Sequence, residues 1–206
     1  LTPGSGYAGG KEFFIEHKDL LELIPPGDVP SKDNSLPAAP RSLLVALRYF
    51  LLGAAVHSLE HAPGDDNRSM MVHPSQATPP HKHYKLRVPR ATVTLLTMFK
   101  LAEQPEEFKA IYNLLSAEHK KLALTYPDIP ELGLLIQEIK EVLYDLKIVE
   151  VNYTKQAEKS IKWKETNYWI LVGGNKLDRG FTVEGLSVTY MPRPLGSSPA
   201  ADTLQQ

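Results

Sequence analysis

The sequence contains no cysteine among its 206 residues. This absence excludes disulfide bonds and zinc sites built from thiolates, and it is typical of proteins of the reducing cytoplasm. An excess of one charge is also lacking, because 23 basic and 24 acidic residues give a formal net charge of −1. Balanced charge argues against a protein that coats nucleic acid over its whole surface. Local basic patches can still exist on such a protein. We therefore expect a soluble, cytoplasmic protein.

The sequence pattern also lacks a membrane-spanning segment. The most apolar stretch, Leu43 to Leu59, is interrupted by Arg48 and His57 and is shorter than a bilayer requires. The first residues, LTPGSGYAGG, have neither an initiating Met nor a signal-peptide pattern, and the last, ADTLQQ, end without a helix cap or closing strand. We expect no membrane contact, and we interpret the chain as a fragment of a longer protein of unknown oligomeric state.

A phosphate-binding loop with its lysine is absent too. The segment SGYAGGK comes near to one, but that motif requires glycine where Ser5 stands and Ser or Thr where Glu12 stands. No strand pattern precedes the segment, and a carboxylate there would face the phosphates. Residues 1–40 are therefore interpreted as a glycine- and proline-rich leading segment and linker.

Beyond the linker, long helical patterns alternate with short apolar ones. Helices are predicted at Arg41 to His61, Ala91 to Glu103, Glu106 to Thr125 and Glu131 to Leu146, and strands at Arg68 to His73, Lys147 to Asn152, Tyr168 to Val172 and Leu186 to Tyr190. The first helix is apolar nearly throughout, which predicts burial on more than one face. These patterns predict an α/β domain over residues 41–206 with a mainly parallel sheet. The block from 91 to 146 is too long for one crossover and is interpreted as a helical insertion.

Residues 74–90 form a basic segment without any acidic residue. Its candidate nucleic-acid contacts are Ser75, Lys82, Lys85 and Arg87, because cations beside Tyr84 suit a phosphate backbone and a stacked base. A solvated surface loop without a ligand is the ordinary alternative. We predict a basic surface loop here and keep nucleic-acid contact as a hypothesis.

The histidines of the same region suggest a metal site as an alternative. His81 and His83, with His73 upstream, are candidates because two histidines one residue apart on a strand point the same way. No carboxylate lies between His73 and Arg90 to complete the ligand set. The basic loop is therefore the preferred interpretation, and no residue is assigned as a metal ligand.

The stretch YWILVGGNKLDRGFTVEGLSVTY, residues 168–190, is the strongest candidate site. Its paired glycines directly follow an apolar strand, at the point where α/β sheets form their ligand crevices. Glycine lets backbone amides approach a phosphate without an intervening Cβ. A purely structural turn is the alternative. The candidate residues are Gly173, Gly174, Asn175, Lys176, Asp178, Arg179, Gly180 and Thr182.

The block ILVGGNKLDRGFTVEGLSVTYMPR resembles the signature of the Z-one domain, a family described as endonucleases and found in prokaryotic defence and repair loci. The segments GYAGGKEFF, SLLVALRYFLLGAAVHSL, SMMVHPS and DTLQQ resemble further landmarks of that family in the same order, so the likeness covers nearly the whole chain. The family is in turn similar to superfamily-two helicases and translocases, whose motor has two RecA-like lobes. The resemblance implies a second RecA-like lobe, in which residues 173–185 correspond to helicase motif V.

The resemblance also implies roles for this loop and its partners. In such motors the loop lies between the lobes, touches the nucleic-acid backbone and senses the nucleotide. Arg179 and Gly180 match the Arg-Gly of the motif. Thr182 stands where many helicases carry Asp, and this difference argues against direct contact with the ribose of the nucleotide. ATP and Mg²⁺ are expected in the intact protein, with sites largely outside this chain, and the fragment alone is expected to be inactive. DNA and the missing first lobe are the expected partners.

Two other functions stay open from the sequence. A metal-dependent DNA endonuclease gathers carboxylates and a lysine around Mg²⁺, but here Asp65-Asp66 lies in a predicted turn and Glu184 is isolated. A non-catalytic interaction module would use the block 91–146 to dock a partner. The preferred function is the motor lobe, within a DNA-processing or anti-phage defence protein.

Overall fold

The computed structural model describes residues 19, 21–30, 38–62, 64, 66–74, 78–151, 161–173 and 182–192. These residues form four helices, α1 (Arg41–Glu60), α2 (Thr78–Lys100), α3 (Pro105–Leu122) and α4 (Leu132–Asp145). They also form four strands, β1 (Arg68–Val72), β2 (Lys147–Val151), β3 (Tyr168–Gly173) and β4 (Leu186–Tyr190), with short 3-10 turns at Pro26–Asp28 and Trp163–Glu165. The predicted α/β class is confirmed.

The described strands form one sheet in the order β2-β3-β1-β4, and every neighbouring pair is parallel. All six residues of β3 are buried, and β1 beside it is buried from Ser69 onward. Strands buried on both faces require continuous apolar sequences, which is why YWILV and SMMV lack alternation. The predicted parallel sheet is confirmed, and each predicted strand agrees with the observed one to within a residue.

The two faces of the sheet bury different layers. Met70 of β1 and Ile170 of β3 join the core that all four helices share. Met71 and Leu171 belong to a smaller core on the other face, to which Ile161 contributes. The connection from β1 to β2 contains α2, α3 and α4, which pack in the first core, whereas Ile161, just before β3, packs in the second.

Helix α1 lies within the helical layer and is buried on more than one face, as its sequence predicts. Its buried residues are Leu43, Leu47, Phe50, Leu51, Leu52, Ala54, Ala55 and His57. At its start, the backbone N of Ser42 donates to Asp28 Oδ2 at 2.9 Å. This bond satisfies one of the amide groups that have no partner within the helix.

The expectation that the apolar run is too short for a membrane is wrong for α1 as a whole. This 20-residue helix is long and apolar enough to cross a bilayer by length and composition, with a mean hydropathy of 1.6 over its most apolar window. Most of its apolar side chains nevertheless pack into the shared core, although Leu59 is exposed. Arg48 donates to the Glu118 carboxylate of α3 from Nε at 2.8 Å, and both side chains are largely buried. Such packing and pairing are typical of the core helix of a globular domain.

Helix α2 is the largest difference from the sequence prediction. The sequence predicts a basic loop up to Arg90, but α2 begins at Thr78 and continues through Pro89. A proline inside a helix removes a hydrogen bond and costs about 3 kcal/mol. Burial of a large apolar side chain stabilises by about 1.5–3 kcal/mol, so a buried stripe on both sides of the proline offsets that cost. The stripe consists of Tyr84, Val88, Ala91, Leu95 and Phe99.

Helices α3 and α4 complete the layer over one face of the sheet. Helix α4 corresponds to the helix predicted at Glu131 to Leu146, and its apolar stripe from Leu132 to Leu143 is buried. In α3 the acidic Glu106 and Glu107 lie in the first turn and basic residues lie in the last, which complements the helix dipole. Both helices share one core with α1, α2 and the sheet. Their interpretation as an insertion into a RecA-like lobe stays a prediction.

Candidate functional site at the carboxyl edge of the sheet

The carboxyl ends of the parallel strands meet at one edge of the sheet. Gly173, the last residue of β3, pairs with Val151 of β2, and Tyr190 of β4 pairs with Val72 of β1. Gly173 follows the last β1–β3 pair directly, so it is level with His73, the buried residue after β1. Ligands of open parallel α/β sheets bind outside this edge. It is therefore the candidate functional site.

Two buried tyrosines pack together at this edge. Tyr84 of α2 is 0% exposed and Tyr190 is 3% exposed, and their ring centroids are 6.0 Å apart. The Tyr190 hydroxyl lies 2.8 Å from Ser42 Oγ, and either group can donate. Because Ser42 also bonds Asp28 through its backbone, a continuous polar chain joins the end of β4 to the start of α1.

Burial controls the protonation of these two tyrosines. It raises the pKa of Tyr84 above the ordinary value of 10.0, and the neighbouring Tyr190 raises it further. Burial likewise raises the pKa of Tyr190, which the hydrogen bond with Ser42 partly opposes. Both hydroxyls therefore keep their protons at neutral pH, so they act as neutral hydrogen-bonding groups and not as bases.

The cations predicted to contact phosphates fall into two kinds. Arg87 is only 9% exposed, and its guanidinium carbon lies 5.9 Å from the centroid of the Tyr84 ring. Burial lowers the pKa of Arg87 from its ordinary value. Lys85 is exposed on α2 and forms an ion pair with Glu150 of β2. Arg87 is thus part of the packed interior, whereas Lys85 lies at the surface of the same edge.

Most of the predicted glycine loop lies outside the described residues. Gly174, Asn175, Lys176, Asp178, Arg179 and Gly180 are among these, as is Ser75 of the basic segment. The described ends of the loop are Gly173, buried at the carboxyl edge, and Thr182, which is exposed. Lys82, His81 and His83 lie within α2 and not in the predicted loop. The structure therefore describes the two ends of this predicted loop, Gly173 and Thr182.

The opposite edge contains contacts that the sequence analysis does not predict. The Asn167 side chain donates to the Asp66 carbonyl at 3.0 Å and accepts from the Gly64 amide at 3.1 Å. Gly185 has a φ of +61°, and a Cβ on it would lie 1.7 Å from the carbonyl oxygen of Asn67. We call this set the amino-edge latch; it consists of Gly64, Asp66, Asn67, Asn167 and Gly185. It holds the starts of β1, β3 and β4 against one another.

One group of side chains within the described ranges has the composition of a metal site. His57 and His61 at the end of α1 and Asp66 before β1 have ligand atoms within 4.8 Å of one another. The sequence signal is the HSLEH segment, since histidines four residues apart share one face of a helix. This signal is easily missed, because His57 also interrupts an apolar run.

The fold defines a layered α/β domain with an all-parallel sheet and a glycine-ended central strand at its carboxyl edge. The family model of the Z1 domain matches residues 42–206, from the second residue of α1 through β4 and beyond. The chain therefore belongs to the Z1 domain family, which confirms the resemblance to the Z-one domain. No curated protein and no solved structure matches the sequence.

Proposed function

We propose that this Z1 domain is the second RecA-like lobe of a superfamily-two-helicase-like, nucleic-acid-dependent ATPase, acting in a cytoplasmic DNA-processing or anti-phage defence protein. The end of β3 carries the proposal. A fully buried central strand finishes in Gly173 at the carboxyl edge of a parallel sheet. Glycine at this position lets the following backbone approach a phosphate closely.

The loop after Gly173 supplies groups suited to a nucleic-acid backbone. In this proposal Gly174 and Asn175 offer backbone amides, while Lys176 and Arg179 offer cations to the phosphates. The Arg-Gly pair at 179–180 couples the nucleotide state to the grip on DNA. The net charge of −1 over the whole chain is compatible with this, because the contact is confined to one edge.

Lys85 is the additional cation that the geometry favours at this edge. Its ion pair with Glu150 involves a lysine side chain that is 56% exposed. Exposed ion pairs stabilise by only about 0–1 kcal/mol, so a phosphate can replace Glu150 at small cost. Arg87 has a different role in the proposal, since it lies buried over Tyr84 and supports the edge from within.

ATP and Mg²⁺ belong to the interface with a first lobe. Phosphoryl transfer requires a phosphate-binding loop, a carboxylate that holds Mg²⁺ and arginines that stabilise the transferred phosphate. This chain contributes the loop after Gly173 to that interface and senses the nucleotide through it. We therefore expect this chain to hydrolyse ATP only in company with a lobe that carries the phosphate-binding loop.

ATP hydrolysis by the protein that joins this domain to such a lobe tests the proposal. DNA should stimulate hydrolysis, and Arg179→Ala should reduce the stimulated rate by about tenfold or more, which corresponds to about 1.4 kcal/mol. Lys120→Ala, on the exposed side of α3, is the matched control and should leave the rate unchanged. Hydrolysis that does not respond to DNA, or an Arg179→Ala variant with the wild-type rate, contradicts the proposal.

A plasmid-nicking assay with Mg²⁺ separates this function from that of an endonuclease. The motor-lobe proposal predicts that supercoiled DNA stays intact when it is incubated with this chain and Mg²⁺. Robust cutting that is lost on adding a chelator would replace the proposal with the endonuclease function.

A further inference from the structure

We propose that His57, His61 and Asp66 form a binding site for a divalent transition metal, Zn²⁺ above all, at the amino edge of the sheet. The site is separate from the carboxyl edge, so it does not depend on the proposed ATPase function. It joins the end of α1 to the start of β1. Its ligand atoms lie within 4.8 Å of one another, so small movements of the exposed His61 and Asp66 side chains would bring them within about 4 Å, the span of two Zn²⁺–ligand bonds.

The two histidines lie four residues apart at the end of one helix. Their rings stack, with centroids 4.4 Å apart and planes 12° from parallel, so the exposed His61 ring must turn out of the stack to bind the same ion as His57. The His61 Nδ1 lies 3.3 Å from the His57 carbonyl oxygen. Since a carbonyl only accepts, Nδ1 carries the proton and the lone pair is on Nε2.

The carboxylate is brought to the histidines by the amino-edge latch. Gly64 adopts a φ of +92°, a conformation that favours glycine, and turns the chain back after α1. Asn167 then holds this turn from both sides, through the Gly64 amide and the Asp66 carbonyl. The Asp66 backbone is therefore positioned by protein contacts, independently of any ion, and its exposed carboxylate can turn toward the two histidines.

The neighbouring charged groups Glu60 and Arg68 form hydrogen bonds with other residues and are not part of this ligand set. The Glu60 carboxylate accepts a hydrogen bond from the Tyr126 hydroxyl at 2.5 Å, and the Arg68 guanidinium donates to the Asn67 carbonyl at 2.8 Å. The set is thus two imidazoles and one carboxylate, which suits Zn²⁺, whereas Ca²⁺ and Mg²⁺ prefer oxygen ligands. Because His61 and Asp66 are exposed, water can complete the coordination.

Zinc titration of the whole chain tests this site. The chain is treated with a chelator, dialysed and titrated with Zn²⁺ in competition with a chromophoric chelator. We expect one Zn²⁺ per chain, and a melting temperature higher by about 5–10 °C at a free zinc concentration a hundredfold above Kd. His61→Gln and Asp66→Asn should each weaken zinc binding by about tenfold or more. Both residues are exposed, so the variants should fold, which circular dichroism checks.

A double variant separates this site from the other histidines. His81→Gln with His83→Gln should bind Zn²⁺ with wild-type affinity, because these residues are outside the proposed ligand set. Loss of binding in that variant would assign the ion to them and overturn the proposal. Wild-type affinity in both His61→Gln and Asp66→Asn would overturn it as well, as would the absence of stoichiometric binding at about 0.1 mM zinc.

Discussion

The two edges of the sheet are built by different means. At the amino edge, side-chain hydrogen bonds of Asn167 and the close approach of Gly185 to Asn67 join the starts of three strands. At the carboxyl edge, the strands end in a buried glycine and a buried tyrosine, beside the exposed Lys85 of α2. The difference indicates that the amino edge stabilises the strand register, while in the proposed function the carboxyl edge presents groups to a ligand. Substitutions at the two edges should therefore have separable effects.

Gly185→Ala should have the largest effect on stability. The added Cβ would lie 1.7 Å from the Asn67 carbonyl oxygen at a φ of +61°, so β1 and β4 must move apart. We expect a loss of about 3 kcal/mol or more in the free energy of unfolding, measured by urea denaturation. Gly27→Ala, where nothing lies within 4 Å of the added Cβ, should change stability by less than about 0.5 kcal/mol. Equal stability of the two variants would contradict the role of the latch.

Asn167→Ala should have a smaller effect at the same edge. It removes two hydrogen bonds to the turn after α1, and each is worth about 0.5–1.5 kcal/mol. Urea denaturation should show a loss of about 1–2 kcal/mol. Asn113→Ala on the exposed side of α3 is the matched control and should be close to neutral. If both variants are as stable as the wild type, the latch does not stabilise the register.

The buried tyrosines of the carboxyl edge should be visible as a loss of stability at high pH. Burial raises the pKa of Tyr84 and Tyr190 in the folded state above 10.0, while in the unfolded chain tyrosines ionise near pH 10. The stabilisation is therefore complete below pH 10 and is lost as the pH rises above it. Each tyrosine contributes a slope of up to about 1.4 kcal/mol per pH unit.

Replacing both tyrosines tests that assignment. The variant with Tyr84→Phe and Tyr190→Phe should show a shallower decline of unfolding free energy between pH 10 and pH 11 than the wild type, as followed by denaturation at each pH. Phenylalanine cannot ionise, so a high pH no longer stabilises the unfolded state through ionisation at these positions. A decline as steep as that of the wild type would exclude these tyrosines as its cause.

Local patterns account for what the sequence predicts correctly. The four strands and the buried faces of α1 and α4 follow from apolar runs and stripes that need no knowledge of distant residues. The helix is predicted only from Ala91, after Pro89, although the stripe from Tyr84 to Phe99, which is buried, continues across that proline. That stripe is present in the sequence and outweighs the proline.

The amino-edge latch could not be predicted from local patterns. Asn67, Asn167 and Gly185 are distant in sequence and meet only through the parallel register of β1, β3 and β4. The metal-site candidate is intermediate between these cases. The spacing of His57 and His61 is readable in the sequence, whereas the position of Asp66 depends on the turn that Asn167 holds.

DNA affinity of variants at the two edges tests the central claim most directly. Binding of this chain to a fluorescently labelled DNA is measured by anisotropy at low salt, together with the melting temperature of each variant. Arg179→Ala, in the loop predicted after Gly173, should weaken binding by about tenfold and keep the wild-type melting temperature. Asn167→Ala should lower the melting temperature and bind DNA like the wild type. Wild-type binding by Arg179→Ala, or an equal loss of binding in both variants, would contradict the division of roles between the two edges.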